Sequence, residues 1–143
     1  MRIISGDFKG KKISLPSDKN TRPLRDLVKE SIFNLLDHSN KFNFQMLHSN
    51  VLDLFSGSGS FGLECISRGS SNVTFVENYA NVLKILNKNI LNLKAEKNCQ
   101  IIEKNCFDYL KSISISSDKY DLIFMDPPFK ETEINQMIEI IKE

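Results

Sequence analysis

With 143 residues, 41% of them apolar, the chain can bury one sizeable core and is too short for two ordinary domains. The net charge of +1 hides an asymmetry: residues 1–30 carry eight Lys and Arg against four Asp and Glu, residues 31–143 eleven against fourteen, as in a nucleic-acid-contacting arm or an ordinary solvated segment. Three cysteines without a C-x-x-C pair, two distant histidines and no apolar run near the ~20 residues of a membrane span argue against a disulfide scaffold, a metal site and a membrane anchor, so a soluble, cytoplasmic protein with reduced thiols is expected.

Residues 2–15, RIISGDFKGKKISL, predict two short strands around a turn containing Gly6 and Gly10, with Lys9, Lys11 and Lys12 pointing outward. The segment Thr21-Arg22-Pro23 introduces a helix in which Val28, Ile32, Leu35 and Leu36 recur at helical spacing, and Pro23 suits its first turn. The expected layout is a hairpin-and-helix arm over 1–40, a linker over 41–50 and a core over 51–143. In that core, apolar runs near 51–55, 72–77, 100–104 and 121–126 alternate with helical patterns, the signature of a parallel sheet with flanking helices. The helix around 79–93 presents Val82, Leu86, Ile90 and Leu93 on one face, with Lys84, Lys88 and Lys94 toward water. A shorter helix is expected over 106–113, and a last one in which Ile134, Met137, Ile138 and Ile141 recur at helical spacing.

The run VLDLF leads straight into SGSGSFG, so Gly57, Gly59 and Gly62 have G-x-G-x-x-G spacing at a strand-to-helix turn. Backbone without Cβ and a helix N-terminus together let a ligand approach closely. The spacing alone also fits a dinucleotide-binding oxidoreductase. Asp53 argues against that, because a carboxylate inside the first strand needs a partner, and the ammonium of a methionine moiety is a fitting one. Glu77, at the end of the second strand, is placed to accept hydrogen bonds from ribose hydroxyls of either cofactor type.

The fourth strand runs into Asp126-Pro127-Pro128-Phe129. In isolation this is a turn with an aromatic anchor. Beyond a parallel strand, downstream of the glycine loop, it suits methylation of an exocyclic amine. Such a nitrogen is a poor nucleophile, and two acceptors, the Asp126 carboxylate and the Pro127 carbonyl, would hold both N–H bonds and aim the lone pair. Phe129 would stack on the base.

These residues resemble the bacterial 16S ribosomal RNA guanine-N2 methyltransferases of the RsmD type. The resemblance runs through RIISGDFKGKKI, TRPLRDLVKESIFNLL, VLDLFSGSGSFGLECISRGS, VTFVE and DLIFMDPPF in order. It implies a Rossmann-like S-adenosylmethionine-dependent methyltransferase fold acting as a monomer on a guanine of 16S rRNA, in the small subunit or its assembly intermediate. By position it further implies Gly57 and Gly59 at the methionine moiety, Asn105 and Cys106 at the adenine edge, and Thr21, Arg22 and Pro23 closing over the cofactor. The family commonly has Arg where this chain has Leu27, so Arg25 is the expected substitute in the RNA contact with Lys9, Lys11 and Lys12. The family also continues past the fourth strand with three more, so the chain is expected to be a fragment. An amino-methyltransferase acting on adenine in DNA or another base, and a non-catalytic module that binds cofactor and RNA, remain open.

Overall fold

In the computed structural model, which describes residues 1–17, 24–113, 119–128 and 130–142, a four-stranded parallel sheet carries the fold. Helix α1 (Asp26–His38) precedes β1 (Asn50–Leu54), and then α2 (Ser60–Ser67), β2 (Asn72–Val76), α3 (Ala80–Asn92), β3 (Cys99–Ile102), α4 (Cys106–Ile113), β4 (Leu122–Met125) and α5 (Ile134–Lys142) alternate. The strand order β3-β2-β1-β4 means that the chain winds outward from β1 to β3 and then returns to the other side of β1. In open parallel sheets the ligand crevice lies at such a reversal, outside the carboxyl ends of the strands.

The apolar runs become strands because both faces of the sheet are covered. Alternate residues Val51, Val73 and Phe75 pack against Phe61 and Leu63 of α2 and Leu83, Leu86 and Ile90 of α3. Leu52, Leu54 and Val76 point the other way, onto Tyr109 and Leu110 of α4 and Met137 of α5. Each fully buried side chain of this kind stabilises the fold by about 1.5–3 kcal/mol. In α3 the inward residues Val82, Leu86, Ile90 and Leu93 are those the spacing predicts, and Lys84, Lys88 and Lys94 are exposed.

Two helices depart in part from their apolar spacing, although Ile32 and Leu36 of α1 pack on the core as expected. In α1, Val28 and Leu35 are 46% and 57% exposed, while Lys29 and Phe33 are the buried residues. Phe33 stacks on Phe61 with ring centroids 4.9 Å apart, and Lys29 threads its stem through the core to reach Glu64 of α2 at 3.2 Å. In α5, Ile134, Met137 and Ile141 pack on the core as their spacing predicts, and Ile138 alone of the four is exposed.

The N-terminal hairpin is also not the pair of strands its sequence predicts. Its pairing reduces to one antiparallel bridge, Arg2 with Lys12. Backbone groups that a longer ladder would have used go to helix side chains instead: the amides of Ile4 and Ser5 donate to the Glu64 carboxylate at 2.8 and 3.0 Å, and that of Phe8 to Ser67 Oγ at 2.9 Å. Ile3 and Ile13 belong to the same apolar core as α2, α3 and the sheet. A small hairpin cannot stand alone in water, and this one is held by the helices beneath it. Among the described residues no helix is long and apolar enough to cross a membrane.

Candidate active site

Strand register assembles the site. β1 pairs with β2 through Leu54 and Val76, and with β4 through Leu54 and Met125. The next residue on each strand, Phe55, Glu77 and Asp126, therefore falls in one row at the carboxyl edge. Asp53 lies two residues back from Phe55, on the sheet face covered by α2.

Asp53 is 1% exposed. Its Oδ2 accepts the Gly62 amide at 3.0 Å, and its Oδ1 has no partner among the described residues. Burial is the main cause that pushes this carboxyl up to about 8; the Gly62 hydrogen bond opposes it, and the charges of Glu77 and Asp126 add to it. Asp53 and Asp126 both line a cleft of about 50 Å³ with Phe55, Gly57, Phe61 and Phe124, and Pro16 and Leu24 line it too. The rings of Phe61 and Phe124 stack with centroids 3.7 Å apart. These two aromatics were not singled out from the sequence, although strand alternation places Phe124 on the same face as Asp53.

The glycines have separate reasons. Gly57 has φ +57° and open space where a Cβ would stand, so its backbone can meet a ligand. At Gly59, also at positive φ, a Cβ would collide with Leu86 of α3, and at Gly62 with the Phe75 ring of β2. Gly59 thus sets how closely the start of α2 approaches α3, and Gly62 how closely α2 lies on β2. Glu77 fixes the loop: its Oε2 accepts the Gly57 amide at 3.0 Å, and its Oε1 accepts the amides of Asn78 and Tyr79 at 3.0 and 3.1 Å.

Asn105 and Cys106 have roles within the protein. The exposed Asn105 caps α4 by accepting the Asp108 amide on Oδ1 at 3.2 Å. Cys106 is buried, its Sγ accepting the Phe55 amide at 3.2 Å, and burial pushes its thiol up to about 12. Beyond β4, Pro128 turns the chain, its carbonyl accepting the Glu131 amide at 3.0 Å. Lys9, Lys11, Lys12 and Arg25 are exposed. Thr21, Arg22, Pro23 and Phe129 lie outside the described residues.

A larger cavity, about 480 Å³, opens at the opposite end of the sheet between Asn50, Asn72, Thr74, Tyr109 and Tyr120. It lacks the glycine loop and the carboxylates, and ligands of parallel sheets bind at the carboxyl edge. The chemistry therefore selects the smaller cleft. Among the described residues no cluster of three or more His, Cys, Asp or Glu could hold a metal ion.

The family model described as Conserved hypothetical protein 95 matches residues 1–143. The chain belongs to this family. Ribosomal RNA small subunit methyltransferase D of Buchnera aphidicola is 35% identical over 141 residues, covering 99% of this chain and 67% of that protein. The protein of the same name from Haemophilus influenzae is 35% identical over 145 residues, covering 100% of this chain and 71% of its own length. A solved structure assigned as a methyltransferase, yhhF of Escherichia coli, matches with a TM-score of 0.79 at 30% identity, over 100% of this chain and 72% of that one. The parallel sheet with flanking helices is the Rossmann-like methyltransferase fold.

Proposed function

We propose that the chain transfers a methyl group from S-adenosylmethionine to the exocyclic N2 amine of a guanine in 16S rRNA, in the small ribosomal subunit or its assembly intermediate. The observation that carries this reading is Asp53: a buried carboxylate with one oxygen unpartnered, lining the cleft beside Asp126. A carboxyl buried in this way ionises at neutral pH only beside a cationic partner, which a ligand's ammonium would supply. The relatives' names supply the substrate class, ribosomal RNA of the small subunit.

The residues present fit the cofactor. Asp53 Oδ1 would accept from its ammonium, the open side of Gly57 would let the chain backbone close on it, and Glu77 would share its remaining acceptor capacity with the ribose hydroxyls. At about 50 Å³ the cleft takes only the reacting end, so the nucleoside would lie along the strand ends toward Glu77 and Asn105. When bound, S-adenosylmethionine would supply an electrophilic methyl group, its carbon–sulfur bond breaking to leave S-adenosylhomocysteine.

Asp126 accepts one N–H of the guanine amine and the Pro127 carbonyl the other, which points the nitrogen lone pair at the methyl donor. Asp126 then receives the proton that the nitrogen sheds as its new bond to carbon forms. Phe129, adjoining Pro128 in the chain, stacks on the base. Lys9, Lys11, Lys12 and Arg25 hold the RNA backbone.

The test is transfer of labelled methyl groups into small-subunit particles lacking their modifications, followed by mapping of the labelled base. Label on a guanine N2 is expected. Label on an adenine would transfer the same chemistry to another base, and cofactor binding without incorporation would leave a non-catalytic module.

A further inference from the structure

Asn89 is a polar residue in an apolar place. It is 2% exposed, on the inward side of α3 beside Leu86, Ile90 and Leu93. Burying an amide there is tolerable only if its polar atoms are paired. They are: Oδ1 accepts the Ser14 amide at 2.9 Å, while Nδ2 donates to the Ser14 carbonyl at 3.0 Å and to the Ser58 carbonyl at 2.9 Å. Both N–H donors and the carbonyl are thus in use.

The two partners belong to different parts of the protein. Ser58 stands between Gly57 and Gly59 and lines the cleft. Ser14 follows the exposed Lys9, Lys11 and Lys12, and two residues after it Pro16 lines the cleft. Asn89 holds Ser14 at two points, as a neighbouring strand would, and holds the glycine loop with its other N–H. Elsewhere the N-terminal segment is tied to the body of the protein through Lys29 of α1 and Ser60, Glu64 and Ser67 of α2; at Asn89 its residues 11–14, which include two of the lysines, are tied to Ser58 between the two loop glycines.

We propose that Asn89 is a positioning residue that sets the glycine loop and the basic N-terminal segment in one fixed relation, so that a ligand on the loop is felt at residues 11–14. This rests on reading the cleft as the cofactor site. The coupling is reciprocal by linkage, so RNA held by Lys11 and Lys12 also strengthens the hold on the cofactor.

Hydrogen exchange with S-adenosylhomocysteine as the probe tests it. In the parent protein the probe should slow exchange at residues 56–60 and also at residues 11–14. In Asn89→Ala, at a temperature where the variant is folded, the slowing should persist at 56–60 and vanish at 11–14, and the Kd for the probe should rise about tenfold. A purely structural Asn89 would lower the melting temperature and leave both the Kd and the spread of protection unchanged, which would overturn the proposal. Should Asn89→Ala not fold, the parent decides alone, since protection confined to 56–60 also overturns it. Absence of protection at 56–60 in the parent is a distinct outcome, which overturns the cofactor reading and this inference with it.

Discussion

Lys29 and Glu64 meet at 3.2 Å with neither side chain exposed to solvent. The pair is unequal in its remaining support. Glu64 also accepts Arg68 Nε at 3.0 Å and two backbone amides, whereas Lys29 has the Arg2 carbonyl and the Ser60 hydroxyl, each at 3.2 Å. Stripping one partner from a buried pair leaves the other charge uncompensated, at a cost of about 3–5 kcal/mol. Glu64→Gln should reach that range in urea denaturation. Lys29→Met should cost roughly half as much, because Arg68 still neutralises Glu64. Equal losses would show that Arg68 does not compensate.

This pair also marks where the sequence stops being legible. The strands were readable because a sheet covered on both faces demands continuous apolar runs, and the glycine spacing located the loop. The inward face of α1 was not: Lys29 holds a core position that periodicity assigns to an apolar residue, so the pattern selects Val28 and Leu35 instead. Glu64 and Asn89 look like solvated helix residues for the same reason. Their partners, Ile4, Ser5 and Ser14, are some 60 to 75 residues away, which no local pattern encodes. Sequence alone therefore predicts two short strands too small to stand alone, without the helix side chains that hold them. Asp53 and Asp126, which their chemistry singles out in the sequence, both line the cleft, whereas Phe61 and Phe124 join them there only through the register of β1 and β4.

Asp53 should make the free protein less stable as pH rises. Its folded-state value, raised to about 8 mainly by burial, lies above that of an unfolded carboxyl at about 4. Between those values the folded state holds a proton the unfolded chain has released, so this group's contribution to stability falls from about pH 4 to about pH 8 and is flat beyond. Asp53→Asn abolishes the fall, so the variant should melt higher than the parent at pH 8.5 and show a weaker dependence between pH 6 and 8.5. A cationic ligand group at Oδ1 reverses the shift. Binding of S-adenosylhomocysteine near pH 7 should then release a proton, detected by calorimetry in buffers of different ionisation heat. No release would remove Asp53 from the ammonium contact.

Lys9, Lys11 and Lys12 are exposed on the segment that Asn89 and Glu64 dock. If they neutralise RNA phosphates, counterion release makes affinity fall steeply with salt, with a slope of about −0.7 to −0.9 per phosphate contact. Replacing all three by Gln should reduce the slope by about two to three units and leave binding of S-adenosylhomocysteine unchanged. An unaltered slope in filter-binding titrations at several salt concentrations would move the RNA surface elsewhere.

Asp126 carries the sharpest test of the chemistry. Register sets it level with Phe55 at the carboxyl edge, and it lines the cleft with Asp53. A guanine N2 amine becomes acidic only as the methyl arrives, so the carboxylate is needed where positive charge develops on nitrogen and not beforehand. Asp126→Asn keeps one acceptor oxygen, and with it much of the orientation, but loses the charge that stabilises the developing cation. The loss should fall on turnover, on the order of 10²–10³-fold, as for deletion of one transition-state hydrogen-bonding group. Affinity for S-adenosylhomocysteine should change little, because the ammonium contact is assigned to Asp53. Single-turnover methylation of small-subunit particles with saturating cofactor separates the two effects. An Asp126→Asn protein that methylates at the parental rate would reduce D-P-P to a turn after β4, and a variant that loses the cofactor instead would place Asp126 in the ligand's binding shell, leaving the proton to another acceptor.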